Sequence, residues 1–271
     1  MKMKTPSTTK KITRSSMTFL FVLLGLIILL FIGVPLVKML FGSDGSTLLQ
    51  TLKDPAVVGS IGLTLYAALL ATIVGGILGI PLAYVLAHHE FPGKKIVEGL
   101  VDLPIVVPHT AAGIALLFVF GRNFLVGRFF GNIGIEFVDS VAGIVIAMLF
   151  VSVPFLIDSA KDGFRSVNPR LEKVARSLGA SPWQTFTHVS FPLAWRSILS
   201  GTIMMWARGI SEFGAVIILA YYPMTAPTLI YQRFETLGLK YSIPIAALLI
   251  VICAVAFIIL RWLAHRGPTH D

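Results

Sequence analysis

Apolar residues run along this chain in long blocks separated by short polar stretches, over about residues 17–41, 60–87, 101–120, 141–157, 193–222 and 243–263. As a helix the first block is about 36 Å long, enough to cross a bilayer core of about 30 Å. It is too long for the core of a signal peptide, and no small-x-small cleavage site follows closely, so it reads as an uncleaved first span. With helices as the economical way to satisfy backbone groups in lipid, the blocks predict an all-α, polytopic membrane protein with six transmembrane helices. The expected organisation is a polar segment at 1–16, a first helix at 17–41, a five-helix core at 57–263 and a tail at 264–271.

Some blocks are not uniformly apolar. The second carries Gly62, Gly75, Gly76 and Gly79 with Ala67, Ala68 and Ala71, small residues that let membrane helices approach closely. It is followed by His88, His89 and Glu90; adjacent histidines do not share a helical face, so a solvated turn is expected there, not a metal pair. The third block opens with Asp102, Pro104, Pro108, His109 and Thr110. It reads either as a pathway-lining, gate-like segment or as a helix that begins after Pro108, with Asp102 and His109 at the interface. In the fifth block Arg208 and Glu212 stand four residues apart, on one helical face. Ionisable residues at membrane depth cost about 2.5 to 3.5 kcal/mol each and turn inward, so the two neutralise one another as a structural pair or as part of a gate. His109, Thr110, Arg208, Ser211 and Glu212 are the candidate pathway or gate residues. Residues 221–242 are polar, and 226–234 reads as a re-entrant or surface helix.

The polar stretch 168–192 has a distinct pattern. Asn168 is suited to cap a helix, Pro169 to its first position and Gly179 to the left-handed residue that closes it; Ser181 and Pro182 repeat the start signal. Leu171, Val174, Ala175 and Leu178 fall on one face, and Arg170, Lys173 and Arg176 mainly on the other. An amphipathic helix at the membrane edge of an oily protein points to a soluble partner.

Composition agrees, with 56% hydrophobic and 13% charged residues. The net charge of +9 is distributed by topology and lacks the aromatic interleaving of a nucleic-acid groove. With Lys38 and Arg208 assigned to spans, fifteen Lys and Arg residues fall in the termini and the two even-numbered loops, and five in the odd-numbered loops. The positive-inside rule therefore places both termini and the 168–192 stretch in the cytoplasm. Cys253 is the only cysteine, which excludes an internal disulfide. No Gly-x-x-x-x-Gly-Lys-Ser/Thr loop occurs, and no metalloprotease helix, so neither ATP hydrolysis by that route nor intramembrane catalysis is expected. A secondary transporter acting alone predicts a relay of several buried carboxylates, whereas Glu212 is the one clearly inside a span. A receptor or scaffold leaves the amphipathic stretch unexplained.

Gly179, Pro192 thirteen residues later, Ala175 upstream, and Val189 and Phe191 before the proline resemble the Glu-Ala-Ala motif of ABC importer permeases. Lys173 and Val174 replace the first two motif positions, with Glu172 one residue early. More finely, VEGLVDLPIVVPHTAAGIALL, RSLGASPWQTF and MMWARGISEFGAVIILAYYPMTAPTLIYQRF resemble the molybdate/tungstate permeases of prokaryotes, archaeal ones especially, within the sulfate, molybdate and tungstate importer group. Sulfate and thiosulfate permeases share much of this pattern. The resemblance implies a type I ABC importer permease fold and a homodimer in a prokaryotic cell membrane. It also implies two copies of a separate ATPase subunit, an extracytoplasmic oxyanion-binding protein and no cofactor. Glu172, Ala175, Leu178, Gly179 and Pro192 are then the expected ATPase-coupling residues.

Overall fold

The computed structural model describes the backbone of residues 9–265 and the side chains of 17–262, so residues 1–8 of the polar segment expected at 1–16 and 266–271 of the tail expected at 264–271 lie outside the described residues. The chain is helical throughout, with no strand among the described residues. In order the helices are α1 Thr9–Leu40, α2 Gly45–Lys53, α3 Pro55–His88, α4 Lys94–Val106, α5 His109–Phe120, α6 Leu125–Gly131, α7 Val141–Ser166, α8 Pro169–Ser177 and α9 Pro182–Thr185. A π-helical turn, Phe186–Ser190, leads into α10 Phe191–Ile210, followed by α11 Gly214–Leu219, α12 Ala226–Leu237 and α13 Leu239–His265. Local chemistry sets several starts. Asp54 accepts the Ala56 N–H at 2.9 Å to open α3, and Ser140 accepts the Gly143 N–H at 3.1 Å to open α7.

Among the described residues, four helices are long and apolar enough to cross a membrane: α1 over Met17–Leu40, α3, α7, and α13 over Leu239–Trp262. The pair α4 and α5 makes a fifth if taken as one broken span, bent by 117°. The expected fifth span, 193–222, is not a single helix. It breaks after Ile210, and α11 restarts at Gly214. Six spans therefore do not follow from helix length and hydropathy alone, because α10 carries Arg196 and Arg208 and α11 is short. The third block also divides: α4 ends at Val106, Pro108 occupies the cap position, and α5 begins at His109. Conversely α7 continues past its apolar run to Ser166, where Arg165 bonds Glu98 of α4 at 3.0 Å.

The central bundle is α3, α7 and α10, packed through small residues. Ala67, Ala68, Ala71, Ala83, Ala147 and Ala160 are buried. A Cβ on Gly79 would lie 3.0 Å from Ile157, and one on Gly75 would strike Met205, whereas Gly62 and Gly76 face no other helix. Between α7 and α10 the fit is reciprocal: a Cβ on Gly163 would meet Ser197 at 2.6 Å, and one on Gly201 would meet Ser159 at 2.7 Å. The Ser159 hydroxyl donates to the Ser197 carbonyl at 2.7 Å across this contact. The segment expected as a re-entrant or surface helix is α12, which is partly buried: Ala226, Thr228 and Leu229 are covered, and Thr64 of α3 accepts the Ala226 N–H at 2.8 Å. By contrast, none of the apolar window of α1 is buried within the chain.

The short helices α5 and α11 meet closely at Gly113, where a Cβ would lie 2.8 Å from Ile218 and 3.0 Å from the Ala215 backbone. Gly113→Val is expected to lower stability by about 1 to 3 kcal/mol, read as a reduced melting temperature in detergent, because backbone cannot yield as a flexible side chain does. Gly62→Val, which meets nothing within 4 Å, is the control and should leave the transition unchanged.

Candidate functional site

Two clusters of the expected residues form distinct sites. The first is at the bundle end where α3 and α7 terminate. Asn168 accepts the Arg170 N–H at 3.0 Å, with Pro169 at the first helical position, so α8 starts as its sequence dictates. It closes with Gly179 at φ 92°, the Ala180 N–H donating to Ala175 and the Gly179 N–H to Arg176, both at 3.0 Å. This paired closure needs a residue tolerant of the left-handed region. Ser181 and Gln184 then form a reciprocal box, at 3.2 and 2.8 Å, that opens α9. Pro192 has no N–H to donate, and the turn before it is π-helical, with the Phe191 N–H reaching back to Phe186. No residue of α8 is buried, and Leu171, Val174, Leu178 and Trp183 present apolar surface, Leu178 being 83% exposed and Trp183 71%. Glu172 differs from them: it turns inward to His88 and Ser190. Nearby, the Lys94 ammonium, 2.6 Å from Glu90, holds that exposed carboxyl below its ordinary range.

The second cluster lies where both broken segments break. Glu212 is 1% exposed, and all its acceptor capacity faces donors. Its Oε1 accepts the Ala215 N–H at 2.9 Å, which caps α11. Its Oε2 lies 2.7 Å from His109 Nδ1 and 3.0 Å from Arg208 Nη2. A carboxylate oxygen only accepts, so His109 Nδ1 carries the hydrogen. Arg208 Nη2, 2.9 Å from both ring nitrogens, can then donate only to Nε2, whose lone pair a neutral ring leaves free. Arg208 Nη1 also donates to Ser211 Oγ at 3.1 Å, and Ser211 returns its proton to the Arg208 carbonyl at 2.9 Å. A Cβ on Gly214 would lie 2.7 Å from the His109 Cβ, so the start of α11 is pressed against the start of α5.

A helix edge of exposed apolar residues at one end, and two interrupted helices joined by a buried carboxylate within the bundle, are arrangements that can pass a movement from a soluble partner to the membrane interior. The family model described as "Binding-protein-dependent transport system inner membrane component" matches residues 75–266. The chain belongs to this family. It is 46% identical over 250 residues to the molybdate/tungstate transport system permease protein WtpB of Thermococcus kodakarensis, covering 92% of this chain and 96% of that one. The corresponding protein of Pyrococcus furiosus is also 46% identical, over 94% and 98% of the two chains. The sulfate transport system permease protein CysT of Synechocystis is 32% identical over 80% and 78%. Among solved structures, the fold matches a bacterial ABC transporter involved in the import of the acidic polysaccharide alginate, with a TM-score of 0.75, 20% identity, and coverage of 95% of this chain and 98% of that one.

For this inner membrane component, the structure brings together His109, Arg208, Ser211 and Glu212 and leaves Thr110 beside them. Thr110 follows His109 in α5 and backs onto Gly214, but among the described residues no hydrogen bond joins it to the cluster. At the α8 end, Ala175 supplies a closing carbonyl, Leu178 an exposed apolar tip and Gly179 the turn. The expected solvated turn at 88–90 is corrected at His88, which is a partner of Glu172 at 2.9 Å. Ser190, 0% exposed, was also not singled out by sequence; its only signal is its place two residues before Pro192. Among the described residues no cluster of ligating side chains could hold a metal ion.

Because His109, Arg208 and the Ala215 N–H all converge on Glu212, exchanging Arg208 and Glu212 would aim a cation at donors and is not expected to restore a native state. The informative measurement is a double-mutant cycle of His109→Ala and Glu212→Ala on thermal stability in detergent. A coupling of roughly 1 to 3 kcal/mol is expected; strict additivity would show that the two side chains do not share the load.

Proposed function

We propose that this chain is the membrane-spanning permease subunit of an ATP-driven importer and that it forms the pathway for a tetrahedral oxyanion, molybdate or tungstate, delivered by a binding protein. The observation that carries the substrate class is the 46% identity to molybdate/tungstate permeases along nearly their whole length. The sulfate reading is the second, supported by relatives of 32 to 37% identity over less of this chain.

Hydrolysis of ATP belongs, on this reading, to separate subunits, two of which meet α8 and α9 on two copies of the permease. The exposed face of Leu171, Val174, Leu178 and Trp183 is the surface offered, and the basic excess of the termini and even-numbered loops supports a cytoplasmic position for it. A homodimer is supported by the apolar surface left uncovered on α4, α5 and α6, including Leu100, Leu103, Val106, Phe118 and Leu125. Movement of α8 and α9 tilts α10, which continues from α9 through the π turn and ends at the Arg208–Glu212 cluster. There α5 and α11, locked through Gly113 and Gly214, act as one body, and the joint between the breaks serves as the gate.

The cluster suits an anion pathway of low affinity. Glu212 is shielded, whereas Arg208 keeps 23% of its side chain exposed and Ser211 faces outward, so a passing oxyanion meets donors before it meets the carboxylate. Paired with Glu212, Arg208 offers a passing anion no isolated positive charge, which favours passage over retention.

Leu178→Asp and Trp183→Asp, both on the exposed face and away from the bundle, are expected to reduce co-purification with the partner ATPase by at least roughly tenfold, since apolar anchors dominate such interfaces. The permease itself should remain stable in detergent. Undiminished co-purification in both variants would remove α8 and α9 as the docking surface.

A further inference from the structure

Glu172 lies on the helix offered to the ATPase, yet its carboxylate points into the protein. Its side chain is 15% exposed, and Oε1 accepts from Ser190 Oγ at 2.5 Å and lies 2.9 Å from His88 Nε2. His88 is the last residue of α3, and its Nδ1 is 3.0 Å from the Tyr84 carbonyl. A carbonyl and a carboxylate both only accept. The ring therefore satisfies both contacts when both nitrogens carry hydrogen, or when the carboxyl group holds the proton and donates it to Nε2. In either state the pair contains one proton more than a neutral ring beside a carboxylate.

The surroundings keep this node in place. The Tyr84 ring lies 4.2 Å from the imidazole, centroid to centroid, and Phe164 of α7 lies 6.2 Å away. Ser190 of the π turn is wholly buried, and Arg176 of α8 adds a positive charge to the neighbourhood of Tyr84 and Glu172. Three elements meet here: the end of α3, the middle of α8 and the turn that leads into α10. Since α8 buries no residue, apolar packing does not fasten it to the bundle, and the Glu172 carboxylate supplies a directional tie.

We propose that His88, Glu172 and Ser190 are positioning residues that fasten α8 to α3 and α10, so that displacement of α8 is passed to both, and that Glu172 is not itself an ATPase contact. The inference rests on the reading of α8 as the ATPase-facing helix. It moves Glu172, one residue before the motif's first position, from docking to transmission.

The test uses the full complex, with its ATPase and binding protein, in proteoliposomes supplied with molybdate, and reads both ATPase co-purification and anion imported per ATP hydrolysed. Glu172→Gln, Ser190→Ala and His88→Ala are expected to keep the ATPase bound while the ratio falls severalfold. His88→Gln, whose amide can donate in place of the ring, should keep the ratio. Loss of the ATPase from the Glu172→Gln complex would make Glu172 a docking contact and overturn the proposal, as would normal coupling in Glu172→Gln, Ser190→Ala and His88→Ala. If the unaltered chain binds no ATPase, the underlying reading of α8 falls, and this inference with it.

Discussion

Hydrocarbon offers no partner to a peptide group released from a helix, so a membrane protein that interrupts its helices must supply donors and acceptors of its own. This chain interrupts two, after Val106 and after Ile210, and brings the restarts together. Glu212 makes that arrangement tenable. One oxygen replaces the acceptor that the first turn of α11 would otherwise lack, and the other fixes the start of α5 through His109 and the end of α10 through Arg208. Burying the carboxylate is costly, and the cost is offset only because each of its contacts is a charge-assisted hydrogen bond or a backbone donor. The short helices and their glycine contacts all depend on it.

Around that joint the bundle is built for close approach. Ser159 and Gly163 of α7 fit against Ser197 and Gly201 of α10 as paired knobs and hollows, with a hydrogen bond across the seam. Packing without slack resists sliding between these helices. Whole helices in this seam therefore move as units, and the breaks after Val106 and Ile210 are the places where their direction can change.

Much of the architecture could be read from the sequence because the signals were local. The apolar blocks at 17–41, 60–87 and 243–263 reappear as α1, α3 and α13, and Asn168, Pro169, Gly179 and Ser181 cap and close helices as their chemistry requires. The pairing of Arg208 with Glu212 was legible from their spacing. The break before α11 was not, since there Glu212 bonds His109, one hundred and three residues earlier in the chain. The role of His88 was hidden for the same reason, its partner lying eighty-four residues on. Contacts over such separations leave no periodicity in a single sequence.

The π-helical turn before Pro192 has a geometric effect on everything that follows it. An extra residue in one turn rotates the later part of the helix by about 100° relative to the earlier part. One continuous rod from Pro182 to Ile210 can therefore show Trp183 to solvent while setting Ala194 and Ile198 against the bundle. The turn acts as a phase shifter between two surfaces with different tasks. Changes in the exposed stripe before it are insulated from the packing register after it, and a family built on this plan has room to alter the one while holding the other fixed.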